Sequence, residues 1–372
     1  MKKFKNRYED FRKINEEKEQ GILRYIPLKD SYPKLSKYVA GIIPETSYLV
    51  SGSTGSAKSK FVRHYFIKSA YESIKNNGYD IELKIIINAL EESVDDILDA
   101  FICQRIAEKH KIRVTRDILA GYTTEYISNE ILDTYEQNVN YFSDLDKMLD
   151  ITNIGNPTGF YKYVREEAYK NGTFWKNNVQ INPKNEKGEW VNQYWSYKKN
   201  NQNHIILPIT DHITLFGKET KYTVYDTIAN FSKHYVRRGF NLMFKMPSVI
   251  VQQQNADSTE RQFSNNGRLV TSRLIPTLAN LDSVKITKND ALVIYGIFAP
   301  ARFGVKTFEG YNLEELDDCF RTIHILKNRK GGGIGKVLPL FFDGLLETFE
   351  ELPAPDQSLA LAKFTEIANK IL

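Results

Sequence analysis

The sequence predicts an α/β fold: a mainly parallel twisted sheet with helices on both faces and a C-terminal antiparallel hairpin at one edge. Three observations carry it. Apolar, β-rich runs alternate with helical patterns along most of the 372 residues. A glycine-rich turn joins the first strong run to a helix, and two late runs meet across "KGGGIG". Alternation of this kind builds parallel strands with helical crossovers, and it puts a phosphate site at the carboxyl ends of the strands.

Taken in order, residues 5–19 place Tyr8, Phe11 and Ile14 on one stripe of a short charged helix that Gly21 stops. Such a helix is marginal alone and needs a surface to pack on. Residues 1–24 are therefore an interface helix with its linker, 25–345 the main domain, and 346–372 a C-terminal helix. Strands are expected at 47–52, 83–90, 204–211, 248–254, 291–300, 321–329 and 336–344. Helices are expected near 58–76, 93–110, 128–149, 158–171, 221–238 and 357–371. Residues 172–203 break the rhythm, being Asn- and Lys-rich and holding all three tryptophans. A structureless loop of that length is unusual in a compact domain, so the segment reads as an inserted hairpin or flap.

Composition sets limits. With 41% hydrophobic and 26% charged residues the chain is globular. It contains no run of some 18 apolar residues and no signal peptide, so a soluble, cytoplasmic protein without a membrane partner is expected. Cys103 and Cys319 lie far apart without metal-ligand spacing and read as small buried hydrophobes. A net charge of +5 permits a nucleic-acid partner without requiring one.

The stretch "LVSGSTGSAKSKF" carries the chemistry. A phosphate-binding loop needs inward backbone N–H groups, a lysine near the β and γ oxygens, and a hydroxyl for magnesium. Gly52, Ser53, Thr54, Gly55, Ser56 and Ala57 supply the turn, Lys58 the charge and Ser59 the hydroxyl, which implies ATP with Mg2+ as cofactor. Ala57 stands where the last glycine of a Walker A loop is usual. Its methyl costs little if the residue sits at negative φ.

Hydrolysis needs more parts. "IILPITDH" ends an apolar strand in Asp211, the place for a carboxylate that holds the magnesium shell together with Ser59. "IIINALEESVDD" runs into Glu91 and Glu92. Glu91, nearer the strand end, is the better general base for the attacking water. Glu92 is adequately explained as a helix-dipole charge. Gln253 in "VIVQQQN" is either a γ-phosphate sensor or strand-end polarity. Lys327 and Arg329 alternate on a strand and share a face. They are either solvated edge charges or a finger reaching a phosphate.

In this order the pieces resemble the RecA-like motor domain of DnaB-type replicative helicases, over roughly residues 25–345. "IPLKDSYPKLSKYVAGIIPETSYLVSGSTGSAKSKF" is similar to that family's stretch through its Walker A loop. "ALEESVDDILDAFICQRIA" resembles its strand-end glutamate and following helix, "ITDHITLF" its Walker B region, "VIVQQQN" its sensing glutamine, and "ILKNRKGGGIGKV" its lysine and arginine finger. The resemblance thus implies a RecA-like P-loop NTPase with catalytic roles for Glu91, Lys58, Gln253, Lys327 and Arg329. Departures are Ala57, His212 where a tyrosine is usual, "VKITKNDALVI" without the usual acidic residues, and the 172–203 insertion. The family's globular N-terminal domain has no counterpart, which points to a phage-type replicon and a host cytoplasm.

The resemblance further implies a homo-hexameric ring with ATP sites between subunits, single-stranded DNA through its centre, and a primase or helicase loader as partner. Loops after the sensing strand should then track DNA phosphates. Arg261, Arg268 and Arg273 in "NADSTERQFSNNGRLVTSRLI" are the candidates, with Arg268 foremost, and a surface loop without ligand is the other reading. Trp175, Trp190 and Trp195, mixed with Lys176, Lys184, Lys187, Lys198 and Lys199, suit base stacking, a protein partner, or a plain packed hairpin. The function expected is an ATP-driven helicase that translocates on single-stranded DNA. The alternatives are a filament-forming recombination or annealing ATPase, and a hydrolysis-weak, nucleotide-set clamp or loading factor.

Overall fold

The computed structural model describes residues 4–191, 196–254 and 270–371. Nine strands form the main sheet: β1 (Ser47–Gly52), β2 (Glu82–Ala89), β3 (Leu149–Thr152), β4 (His204–Asp211), β5 (Ser248–Gln253), β6 (Val293–Phe298), β7 (Phe320–Asn328), β8 (Val337–Asp343) and β9 (Thr348–Glu351). Across the sheet they run β9, β8, β7, β6, β1, β5, β4, β2, β3. The six from β6 to β3 are parallel, and β7, β8 and β9 run antiparallel to their neighbours.

The parallel strands are continuous apolar runs because both of their faces are covered. Every residue of β4 is buried. Side chains alternate between two cores: Tyr48, Val50, Ile85, Ile87 and Val251 join Phe61 and Tyr65 on one face. Leu49, Ile86, Ile206 and Ile250 join Phe231 and Phe240 on the other. A third cluster lies under the C-terminal helix Ser358–Ile371, whose Phe364 ring stands 5.2 Å from that of Phe341.

Three expectations need adjusting. The helix expected at 128–149 is two helices, Asn129–Gln137 and Val139–Met148, and Leu149 opens β3, which pairs with β2 at the far edge. Four residues, "LDIT", are too few to display an alternation. The hairpin of β7 and β8 forms, but β9 pairs outside it and takes the edge. In "TFEE" only Phe349 is buried, and Glu351 is held by the Lys34 and Leu35 backbone N–H groups at 2.7 and 2.8 Å.

The insertion is a small three-stranded antiparallel sheet of Gly172–Lys176 between Val179–Ile181 and Ser196–Lys199. It packs down through Phe174 and Tyr197, both near the Phe244 ring. Trp190 is used inside it: Arg165 lies over its ring at 4.1 Å, and its indole N–H donates to Glu166 at 2.6 Å. Trp175 is covered by Lys198 at 4.1 Å. Trp195 lies outside the described residues. The N-terminal helix Phe4–Glu19 does the opposite and leaves Phe4, Tyr8 and Phe11 exposed.

Candidate functional site

Strand register assembles the site. Gln253 pairs beside Gly52, and Ala89 stands opposite Asp211, so the carboxyl ends of β1, β5, β4 and β2 are level. The loop Gly52–Ala57 leaves β1 there and enters a helix running from Lys58 to Asn77, widened to π-type bonding over Arg63–Lys68. Gly52 is required by close approach, because a methyl on it would collide with Ser56 Oγ and the Ile297 carbonyl. Ala57 has φ 70° and ψ 34°, a left-handed conformation. The condition under which its methyl would be harmless is therefore not met, and the strain of an L-residue there is about 1–2 kcal/mol.

Lys58 is buried and donates to the Ser53 carbonyl at 2.9 Å, spanning its own loop. Burial lowers its pKa, with Glu91 and Asp211 acting against that. Ser59 Oγ donates to Asp211 Oδ1 at 3.0 Å, bringing together the two residues expected at the metal. Burial pushes the Asp211 carboxyl up to about 6, and the nearby Glu91 and Glu92 add to this while Ser59 and Arg63 oppose it. A buried carboxylate satisfied mainly by one hydroxyl is short of positive charge, which fits a divalent cation. Among the described residues no three His, Cys, Asp or Glu side chains form a metal cage. An ion at Ser59 and Asp211 would complete its shell with phosphate oxygens and water, as magnesium commonly does.

Gln253 Nε2 donates to Thr54 Oγ1 at 2.5 Å, which ties the end of β5 to the third residue of the loop. Glu91 and Glu92 part company here. Glu91 is exposed, two residues past the strand end, and close enough to Lys58 and Asp211 to affect both. Glu92 is taken up in an ion-pair network. It binds Arg63 and, at 3.5 Å, Arg116, while Arg63 binds Glu347 at 2.7 Å. Glu347 also meets Lys60 and Arg116 at 3.4 Å each. Burial alone would lower the Arg63 pKa, but Glu347 and Glu92 raise it. No local signal marks Arg63 or Glu347, since the pair joins residues 284 apart.

Lys327 and Arg329 sit at the other end of the sheet. Val293 pairs with both Tyr48 and Asn328, so this corner is level with the start of β1. The loop is about 13 Å away along the strands and about 10 Å across two of them. Lys327 folds back onto the carbonyls of Lys288 and Asn289, at 2.5 and 3.1 Å. Burial pulls its pKa down to about 8, with Arg329 and Arg237 adding and Asp290 opposing. Arg329 is exposed, one residue beyond β7. Arg237 was not singled out by the sequence and belongs to this basic corner.

Of the arginines expected at DNA, Arg273 is exposed at the end of the turn Thr271–Arg273. Arg261 and Arg268 lie outside the described residues. His212 is buried, with Nδ1 and Thr214 Oγ1 2.7 Å apart, and burial lowers its pKa to about 4. No described helix is long and apolar enough to cross a membrane.

Neither a family profile nor a curated protein matches the chain. Solved structures do. One, an isolated ATPase domain, gives a TM-score of 0.62 at 12% identity, covering 93% of this chain and 98% of that one. A DnaB-like replicative helicase, described with its interactions with primase, gives 0.62 at 13% identity over 92% of this chain and 67% of that one. At such identities the likeness is one of fold. The chain has the RecA-like α/β fold of these helicase ATPase domains.

Proposed function

We propose that the chain is an ATP- and magnesium-dependent motor that assembles as a ring, moves on single-stranded DNA and unwinds duplex. The observation that carries this is the division of the site between the two ends of one sheet. Lys58, Ser59, Asp211, Gln253 and Glu91 gather at the phosphate loop, while the exposed Arg329 and its basic corner lie beyond reach of that loop in the same chain. A neighbouring copy can supply them. The apolar stripe left open on Phe4–Glu19 supports such an assembly.

In this reading the loop N–H groups and Lys58 hold the β- and γ-phosphates. The magnesium ion, on Ser59 and Asp211, would draw off phosphate charge when bound. Glu91 accepts a proton from the attacking water, Gln253 passes the state of the γ-phosphate to the loop after β5, and Arg329 stabilises charge that appears only in the transition state. Arg261, Arg268 and Arg273 would follow the DNA, with a primase or loader as further partner.

Two assays test the proposal together: unwinding of a forked duplex with ATP, and steady-state hydrolysis with and without single-stranded DNA. Unwinding that Lys58→Ala abolishes is the expected result. DNA-stimulated hydrolysis with no unwinding would favour a filament-forming ATPase. The strained Ala57 favours one other reading, a clamp whose nucleotide only sets conformation, and near-absent hydrolysis with tight ATP binding would select it.

A further inference from the structure

Arg302 lies on the short turn Pro300–Phe303 just after β6. Its Nε and Nη2 both donate to Asp318, at 2.8 Å to Oδ1 and 2.8 Å to Oδ2. Asp318 is itself fixed by the buried Arg321, whose Nη2 donates to Oδ1 at 3.0 Å. The third guanidinium nitrogen, Nη1, has no hydrogen-bond partner among the described residues. It rests against the phosphate loop, so close that a methyl built on Gly55 would collide with it. A planar cation clamped on one edge thus turns its other edge to the loop, with its side chain still 46% exposed.

The sheet order says which end of a nucleotide it would meet. β6 flanks β1 on one side, and β5, β4 and β2 lie on the other. Gln253, Asp211 and Glu91 all belong to that other side, where the magnesium and the γ-phosphate are placed by the proposed function. Arg302 faces the loop from the opposite flank, toward the α-phosphate and the nucleoside beyond it. We infer that Arg302, oriented by Asp318, holds the nucleoside end of the bound nucleotide. Nη1 donates to a ribose oxygen and the guanidinium plane lies against the base, a use for which arginine is suited and lysine is not. This inference rests on the nucleotide reading of the loop, and its test is built to fail separately from it.

The experiment measures equilibrium binding of Mg-ATP, Mg-ADP and inorganic tripolyphosphate by titration calorimetry. Parent, Arg302→Ala, Arg302→Lys, Asp318→Asn and Lys58→Ala are compared, with folding checked by circular dichroism. Arg302→Ala should weaken ATP and ADP alike, on the order of tenfold, and leave tripolyphosphate within about twofold. Arg302→Lys should not restore binding, and Asp318→Asn should fall between. If Arg302→Ala does not fold, Arg302→Gln takes its place. Unchanged ATP affinity overturns the inference, and so does an equal loss for tripolyphosphate, which would make Arg302 a phosphate ligand. Lys58→Ala must weaken all three ligands. If it does not, or if the parent binds none, the phosphate-loop reading fails and takes the inference with it.

Discussion

Replacing Asp211 by asparagine should make the nucleotide-free protein more stable while destroying its response to magnesium and ATP. Burial raises the Asp211 pKa to about 6, against about 3.9 for an exposed aspartate. Each unit is worth about 1.4 kcal/mol, so keeping this carboxylate ionised at neutral pH costs the folded state about 3 kcal/mol. Asparagine keeps an oxygen for the Ser59 hydroxyl but adds an N–H that needs a partner, so the net gain should be about 2 kcal/mol. The folded carboxyl holds its proton to higher pH than the unfolded one. Its contribution is therefore fully favourable below about 4 and is lost as pH rises through about 6. His212 and His324, both lowered by burial to about 4, act in the opposite direction over the same interval. The parent's own pH profile thus mixes signs, and the informative quantity is the stability of Asp211→Asn minus that of the parent. Urea unfolding from pH 4 to 8 should show this difference growing up to about pH 6 and then levelling. Mg-ATP should stabilise the parent by mass action and leave the variant unmoved. A variant less stable than the parent at pH 7, or a difference independent of pH, would refute the reasoning.

Glu91→Gln should bind ATP and lose turnover. Glu92→Gln should keep turnover and lose about 2 kcal/mol of stability in urea, since it strips one partner from the buried Arg63 while Glu347 remains. A reversal of the two would mean that Glu92 faces the phosphates. Arg329→Ala should bind ATP and lose on the order of a thousandfold in turnover. Mixing it with Lys58→Ala should restore part of the ATPase, and no recovery at any ratio, with mixed assembly confirmed, would count against a shared site. Ala57→Gly should keep or raise hydrolysis and gain up to about 1 kcal/mol in urea, the relief of left-handed strain less the added chain entropy. A collapse of activity would show that the methyl is tuned to this loop.

The sequence by itself determined the parts of this protein written in local periodicity. Long apolar runs such as "HIILPITD" can only be strands covered on both faces, and a glycine turn between strand and helix sets Lys58 and Ser59 at a helix start wherever the rest of the chain goes. The strand-end position of Asp211 came from the same pattern, and so did the preference for Glu91 over Glu92. Short or unpatterned elements were hidden. β3 and β9 have four residues each and gain their place by pairing with neighbours, not from their own alternation. The insertion's aromatic content did not reveal that Trp190 is spent on Arg165 and Glu166. Ala57 looked tolerable because backbone dihedrals are not written in residue type. Only tertiary structure could join Arg63 to Glu347, turn Arg302 toward Gly55, and place Lys327 and Arg329 at the end of the sheet away from the phosphate loop. Those relations depend on strand order and register, which couple residues hundreds of positions apart through backbone hydrogen bonds.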